Sequence, residues 1–211
     1  MKQILAFGDS LTWGSDPHSD ARHAMADQWP IAMKAGLTPA LGDVEVLREG
    51  LRGRTTAYER PSAPVDMNGV RALPILLHSH APLDGVVIML GTNDIYMGLE
   101  TQLIRDGLRR LVEIVQLHPW RMAGIAPPKV MLVAPPPLTV CAADTGVTAA
   151  KIAQSEALGE VVLGVSQAMG VPYFDAGTVA RASEVDGYHL EAAASRALGE
   201  ALVAPVAAML G

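Results

Sequence analysis

Five short apolar runs, at residues 3–7, 44–49, 85–90, 129–134 and 171–174, are separated by longer stretches whose apolar residues recur at helical spacing. A chain patterned this way must alternate strand and helix, and strands joined through helical crossovers pair in parallel. The runs at 85–90 and 129–134 are continuously apolar, as expected of strands covered on both faces. Those at 44–49 and 171–174 are mixed and suit the edges of a sheet. The implied class is α/β, a five-stranded parallel sheet between two helical layers.

The helical stretches carry their own start and stop signals. Ile104, Leu108, Leu111, Val112 and Val115 form one stripe on a helix expected over 99–118 and closed by Pro119. A helix over 29–36 is expected to stop at Gly36. Another is expected from Thr148, as N-cap, to Met169, with Gly170 at its end and Ile152, Val161, Val162 and Val165 on its buried side. A weaker helix is expected over 70–80, and a last one over 190–204 that Pro205 kinks or ends. The stretches 15–28, 56–69 and 120–128 are longer than minimal connections and read as pocket walls or subunit contacts.

Half of the 211 residues are apolar but only 4 % are aromatic, so the core is built from small and aliphatic side chains and a disordered chain is excluded. No repeat, low-complexity tract or charge block divides the sequence, and one domain over 1–211 is expected. With 22 acidic against 16 basic side chains, a net charge of -6 and no Lys/Arg cluster, nucleic acid is not an expected partner. Nor is a membrane: the longest uninterrupted aliphatic stretch, residues 86–90, falls far short of the ~20 residues that span a bilayer. Only Ile4 to Phe7 separate the start from Gly8, fewer than the ~7 to 15 apolar residues of a signal-peptide core, so the expected location is cytoplasmic. Cys141, alone, forms neither an internal disulfide nor a thiolate metal cage.

Reactive residues fall beyond the carboxyl ends of the expected strands, the rim where open parallel sheets bind ligands. Ser10 follows the first strand, Gly50 and Gly53 the second, Gly91-Thr92-Asn93-Asp94 the third, and Asp186 and His189 lie between the fifth strand and the last helix. The set fits acyl transfer: Ser10 as nucleophile, His189 as its base, and Asp186, three residues earlier, to fix the imidazole. Asp175, after the fifth strand, is the competing acid. An oxyanion needs donors, and the N–H groups of Ser10 and Gly53 with the side-chain amide of Asn93 can supply them. Asp9 and Asp94 are read as hydrogen-bonding groups that shape the rim. Three of the nine aromatics, Trp13, Tyr96 and Tyr188, lie within three residues of Ser10, Asn93 and His189 and are expected to line the substrate pocket.

Gly8-Asp9-Ser10-Leu11, Gly53, Gly91-Thr92-Asn93-Asp94 and Asp186-x-x-His189 resemble, in order and spacing across nearly the whole chain, the four blocks of the SGNH (GDSL) hydrolase superfamily. The runs from Gly8 to Gly14, Glu49-Gly50-Leu51 with Arg54-Thr55-Thr56, and Ile88 to Asp94 are similar to its arylesterase and acyltransferase branch. That resemblance implies a flavodoxin-like three-layer α/β/α sandwich and metal-free, cofactor-free hydrolysis of small esters through an acyl-serine. It also implies a homo-oligomer and, in some members, transfer of the acyl group to an alcohol instead of water. Glu49 stands where many members carry Asn, which bears on the substrate contacts of that block.

Other readings of the same residues are weaker. A carbohydrate acetylesterase or a thioesterase keeps the chemistry and changes the substrate. A non-catalytic module for a phosphorylated ligand lacks a G-x-G-x-x-G after the first strand. His18, His23, His78, His80 and His118 do not have metal-ligand spacing. Arg52 and Arg54 read as solvated loop arginines in preference to an anion site.

Overall fold

A computed structural model describes residues 1–120 and 126–211. In chain order its elements are β1 (Lys2–Gly8), α1 (Ser10–Trp13), α2 (Trp29–Leu41), β2 (Val44–Gly50), α3 (Gly69–His80), β3 (Gly85–Met89) and α4 (Thr92–Tyr96). They continue with α5 (Thr101–Leu117), β4 (Lys129–Ala134), α6 (Ala149–Glu156), α7 (Leu158–Met169), β5 (Tyr173–Asp175) and α8 (Ala192–Leu210). All strand pairs are parallel, in the order β2-β1-β3-β4-β5, the doubly wound flavodoxin-like arrangement. The mixed strands β2 and β5 are indeed the edges. Of the stretch 120–128, residues 121–125 lie outside the described residues.

Alternation along the strands sends side chains to two separate cores. Leu5, Phe7, Val86, Ile88, Val130 and Leu132 pack beneath α3, α5 and α7. Ile4, Ala6, Val87, Met89, Met131 and Val133 face the other way, beneath α2 and α8. The stripe expected on α5 is buried throughout, and Thr148 caps α6 by accepting from the Lys151 N–H.

Three helix boundaries differ from the sequence reading, each because packing overrides a local signal. α2 runs through Gly36 to Leu41, since Gly36 is a contact point: a Cβ there would overlap a Val203 methyl group of α8. α8 runs through Pro205 to Leu210. An interior proline costs a helix ~3 kcal/mol, but the turn beyond it buries Val206, Met209 and Leu210, each worth ~1.5–3 kcal/mol. α8 is also long and apolar enough to cross a membrane, yet Leu198, Leu202 and Val206 lie fully buried in the core it shares with α2. The third helix expected over 148–169 is two, joined at Ala157, so that the buried Leu158 reaches over Gly91 at the end of β3.

The α2–α8 contact depends on a second glycine, Gly199, where a Cβ would overlap the Trp29 carbonyl and lie 2.7 Å from Ala32 Cβ. Gly199→Ala is expected to lower stability by about 1–3 kcal/mol through overpacking. The same change at Gly164, which has open space around it in α7, is expected to raise stability by about 0.5–1 kcal/mol. Urea unfolding midpoints of the two variants check this; equal shifts would contradict the close helix contact.

Candidate active site

β1 ends at Gly8 and the chain turns directly into α1. Asp9 caps that helix, its Oδ1 accepting from the Leu11 N–H at 2.9 Å, which makes Ser10 the first helical residue. First-turn N–H groups have no partner within a helix. The Ser10 N–H makes no hydrogen bond to another described residue, and the residue is 9 % exposed, at the wall of a cavity.

Asp186 and His189 sit on one turn ahead of α8. Asp186 Oδ1 accepts from the N–H groups of Tyr188 (3.1 Å) and His189 (3.0 Å), and Oδ2 lies 2.7 Å from His189 Nδ1. A carboxylate acceptor at Nδ1 puts the proton there and leaves Nε2 with its lone pair free. Burial works against the Asp186 charge, but the hydrogen bonds from the His189 ring and the two N–H groups hold its carboxyl below the usual range. The turn is fixed from outside by Thr145 Oγ1, which donates to the Asp186 carbonyl at 2.9 Å, and by the Ser183 N–H to the His189 carbonyl at 2.7 Å. Asp175 is elsewhere: its Oδ1 accepts from the Gly177 N–H at 2.8 Å and caps a short helical turn. Of the two acids considered, Asp186 is the one that holds the imidazole.

Gly53 adopts φ +85°, a backbone shape that favours glycine, and its N–H also makes no hydrogen bond to another described residue. Asn93, in the first turn of α4, donates through Nδ2 to Asp9 Oδ2 at 3.0 Å. One amide hydrogen is thereby committed and the other is left over. Next to it, Asp94 is fully buried and accepts from the Thr56 N–H and, at 2.6 Å, from Thr56 Oγ1. This ties the loop after β3 to the loop after β2. Burial pushes Asp94 upward against those hydrogen bonds. Asp9 is pushed up to about 6, by burial first, against the Leu11 N–H, the His189 charge and the Asn93 amide.

Ser10, Gly53, Asn93 and His189 line one cavity of about 330 Å3, together with Arg52, Arg60, Thr92, Tyr96 and Tyr188. Two of the three aromatics expected there are present. Tyr96 and Tyr188 meet edge to face at 5.8 Å, Tyr188 packs edge-on against the His189 ring at 4.5 Å, and Tyr96 Oη donates to the Thr145 carbonyl. Trp13 is the correction. α1 crosses Gly50, where a Cβ would overlap the Trp13 N, and this carries the indole to the edge strand β2. There it lines a different cavity and stacks with Arg22 at 4.2 Å and Arg52 at 5.3 Å.

Arg54 is a second correction. It is 5 % exposed and donates from Nη1 to the carbonyls of Gly8 (2.9 Å) and Glu49, clamping the ends of β1 and β2, with Phe7 4.3 Å beneath it. Burial lowers its pKa to about 10, still a cation at neutral pH. Sequence reasoning missed Arg60, since nothing in the 56–69 loop marks it as a cavity residue. The remaining histidines are dispersed: His18 meets Glu191, His23 the Leu190 carbonyl, His80 Glu49, and His78 packs on His118. Among the described residues no three His, Cys, Asp or Glu gather as a metal site would require.

The sequence and the fold have counterparts among known proteins. Residues 6–197 match the GDSL-like lipase/acylhydrolase family. A carbohydrate acetylesterase family member from Sinorhizobium meliloti is 41 % identical with a TM-score of 0.93, covering 100 % of both chains. A putative arylesterase from Agrobacterium tumefaciens is 45 % identical, covering 99 % of this chain and 100 % of its own, with a TM-score of 0.88. The aryl esterase of M. smegmatis is 36 % identical over 99 % of this chain and 100 % of its own, with a TM-score of 0.91. No curated protein sequence matches. The chain belongs to the GDSL-like lipase/acylhydrolase family, serine ester hydrolases of the SGNH type.

Proposed function

We propose that this protein hydrolyses small esters of short acyl groups through an acyl-enzyme at Ser10. The observation that carries the reading is His189, held by Asp186 at 2.7 Å, sharing a cavity with Ser10 and with three donors not used up by the fold. His189 Nε2 takes the Ser10 Oγ proton as Oγ bonds to the ester carbonyl carbon. The oxyanion that forms accepts from the N–H groups of Ser10 and Gly53 and from Asn93 Nδ2. Its collapse breaks the C–O bond, and the alcohol leaves with the proton from His189. Water, deprotonated in turn by His189, attacks the acyl-serine and releases the acid. Asp186 keeps Nδ1–H oriented and stabilises the transient imidazolium.

A cavity of about 330 Å3, at the small end for ligand sites, supports a short acyl group on a small alcohol. Removal of acetyl groups from a carbohydrate is the second reading, favoured by the Sinorhizobium meliloti neighbours described as carbohydrate acetylesterases. Rates on acetylated sugars and aryl acetates separate the two. Transfer to an alcohol is the finer part of the proposal, supported by the Tyr96–Tyr188 wall, an apolar surface that suits an alcohol better than water.

A serine-directed fluorophosphonate is expected to add one adduct mass at Ser10, and Asn93→Ala to lower kcat by roughly 10²–10³, the usual cost of one oxyanion donor. Unlabelled Ser10, or undiminished ester turnover in Ser10→Ala, would overturn the assignment. A primary alcohol added to an aqueous ester assay is expected to divert product into the new ester; acid alone would remove the transfer step.

Asp9 gives a prediction in pH. Its carboxyl moves from the usual 3.8 to about 6 on folding, so the folded state binds the proton more tightly and loses stability as pH rises between those values. The cost is full above about 6 and amounts to roughly 3 kcal/mol at most. Asp9→Asn is therefore expected to be more stable than the parent at pH 8 and equal to it near pH 4, while losing activity because Asn93 loses its charged acceptor. Denaturant unfolding across that range checks it, and a stability difference that does not vary with pH would contradict it.

A further inference from the structure

Among the described residues, the charged side chains that border the Ser10 cavity, His189 apart, are Arg52 and Arg60, and no acidic side chain lines it, in a chain whose net charge is -6. The carboxylates that hold Asn93 and His189, Asp9 and Asp186, are not among the lining residues and are committed to hydrogen bonds from Leu11, Asn93, Tyr188 and His189. Arg60 is half-buried. It has five N–H donors, of which one, on Nη1, reaches the Gly53 carbonyl at 3.2 Å, and it has no carboxylate partner among the described residues. The acidic neighbour Glu59 is taken by Arg71.

Arg52 is paired, but loosely. Its partner Asp20 has a side chain 99 % exposed, and an ion pair that open to solvent is worth ~0–1 kcal/mol, so an incoming anion exchanges with it at little cost. Stacking with Trp13 at 5.3 Å meanwhile backs the guanidinium from the edge-strand side. Other arginines show what a structural role looks like here: Arg54 is locked onto two carbonyls, and Arg71, Arg109, Arg110 and Arg196 are paired with carboxylates. Guanidinium forks match carboxylate and phosphate geometry, and two of them adjoin Gly53, itself a proposed oxyanion donor: Arg52 as the preceding residue and Arg60 through its bond to the Gly53 carbonyl.

We propose that this cavity selects esters that carry an anionic group, a carboxylate or a phosphate, held by Arg60 and Arg52 beside the scissile bond. The proposal rests on ester hydrolysis at Ser10 and narrows its substrate class.

The test uses pairs of esters that differ only in the charge. Nitrophenyl hemisuccinate against nitrophenyl methyl succinate places it on the acyl side, and acetoxybenzoate against its methyl ester on the alcohol side. In at least one pair the parent enzyme is expected to favour the anionic member in kcat/KM. Arg60→Gln is expected to cut that anionic-to-neutral ratio on the order of tenfold, about 1.4 kcal/mol, with Arg60→Lys recovering part of it and Arg52→Gln giving a smaller loss. The ratio is the readout because a merely structural effect on the Gly53 turn slows both members alike and leaves it unmoved. An unmoved ratio, or a neutral preference in both pairs, overturns the proposal.

A binding arm keeps this separate from catalysis. Calorimetry with Ser10→Ala is expected to show tighter binding of acetoxybenzoate than of its methyl ester, and the difference is expected to shrink in Ser10→Ala/Arg60→Gln. Equal binding overturns the anion site. If the parent turns over none of the four esters, ester hydrolysis fails, and the binding arm still decides the anion site.

Discussion

The position of β1 between β2 and β3 governs the rest of the molecule. Parallel pairing puts the carboxyl ends of the three strands at one rim, in register from Gly8 beside Gly50 to Gly8 beside Met89. The segments leaving that rim carry Ser10, Gly53 and Asn93, which are separated by tens of residues in sequence. Cross-ties then hold them: Asn93 to Asp9, Asp94 to Thr56, and Arg54 to the ends of β1 and β2. None of these groups packs a core. Each fixes the direction in which a neighbouring donor points.

That arrangement is costly in isolation. Asp9, Asp94 and Arg54 are all buried charges, and burial opposes ionisation in each of them. At Asp9 the hydrogen bonds from one N–H and one amide only partly replace lost water, and its carboxyl stays well above the usual range. The two aliphatic cores on either side of the sheet supply the surplus that makes the arrangement tolerable, and they do so almost without aromatics. Functional sites commonly retain such unfavourable groups where orientation matters more than stability.

Much of this was legible in the sequence because the signals were redundant. Continuous apolar runs marked β3 and β4 as central, mixed runs marked β2 and β5 as edges, and one stripe defined α5. The short spacing from Asp186 to His189 made their pairing a local matter. What the sequence left open depended on distant neighbours. Gly36 and Pro205 look like helix stops until the surface they pack against is known. Trp13 is as near in sequence to Ser10 as Tyr96 is to Asn93, yet close contact with Gly50 turns it to the edge strand. Arg54 and Arg60 lie six residues apart with similar surroundings in sequence, one sealed against strand carbonyls and the other bordering the cavity.

The turn that carries Asp186 and His189 separates two kinds of precision. Carboxylate, ring and both supporting N–H groups belong to four consecutive residues, so a displacement of the turn carries acid and base together. The imidazole's tautomer is thus a local property that loosening of the sheet leaves intact. The gap between the ring and Ser10, by contrast, is set by β1 and α8 through the whole thickness of the core. Remote strain in this fold acts on that distance while leaving the ring's hydrogen-bonded orientation alone, and two parts of the proposed site respond to different regions of the chain.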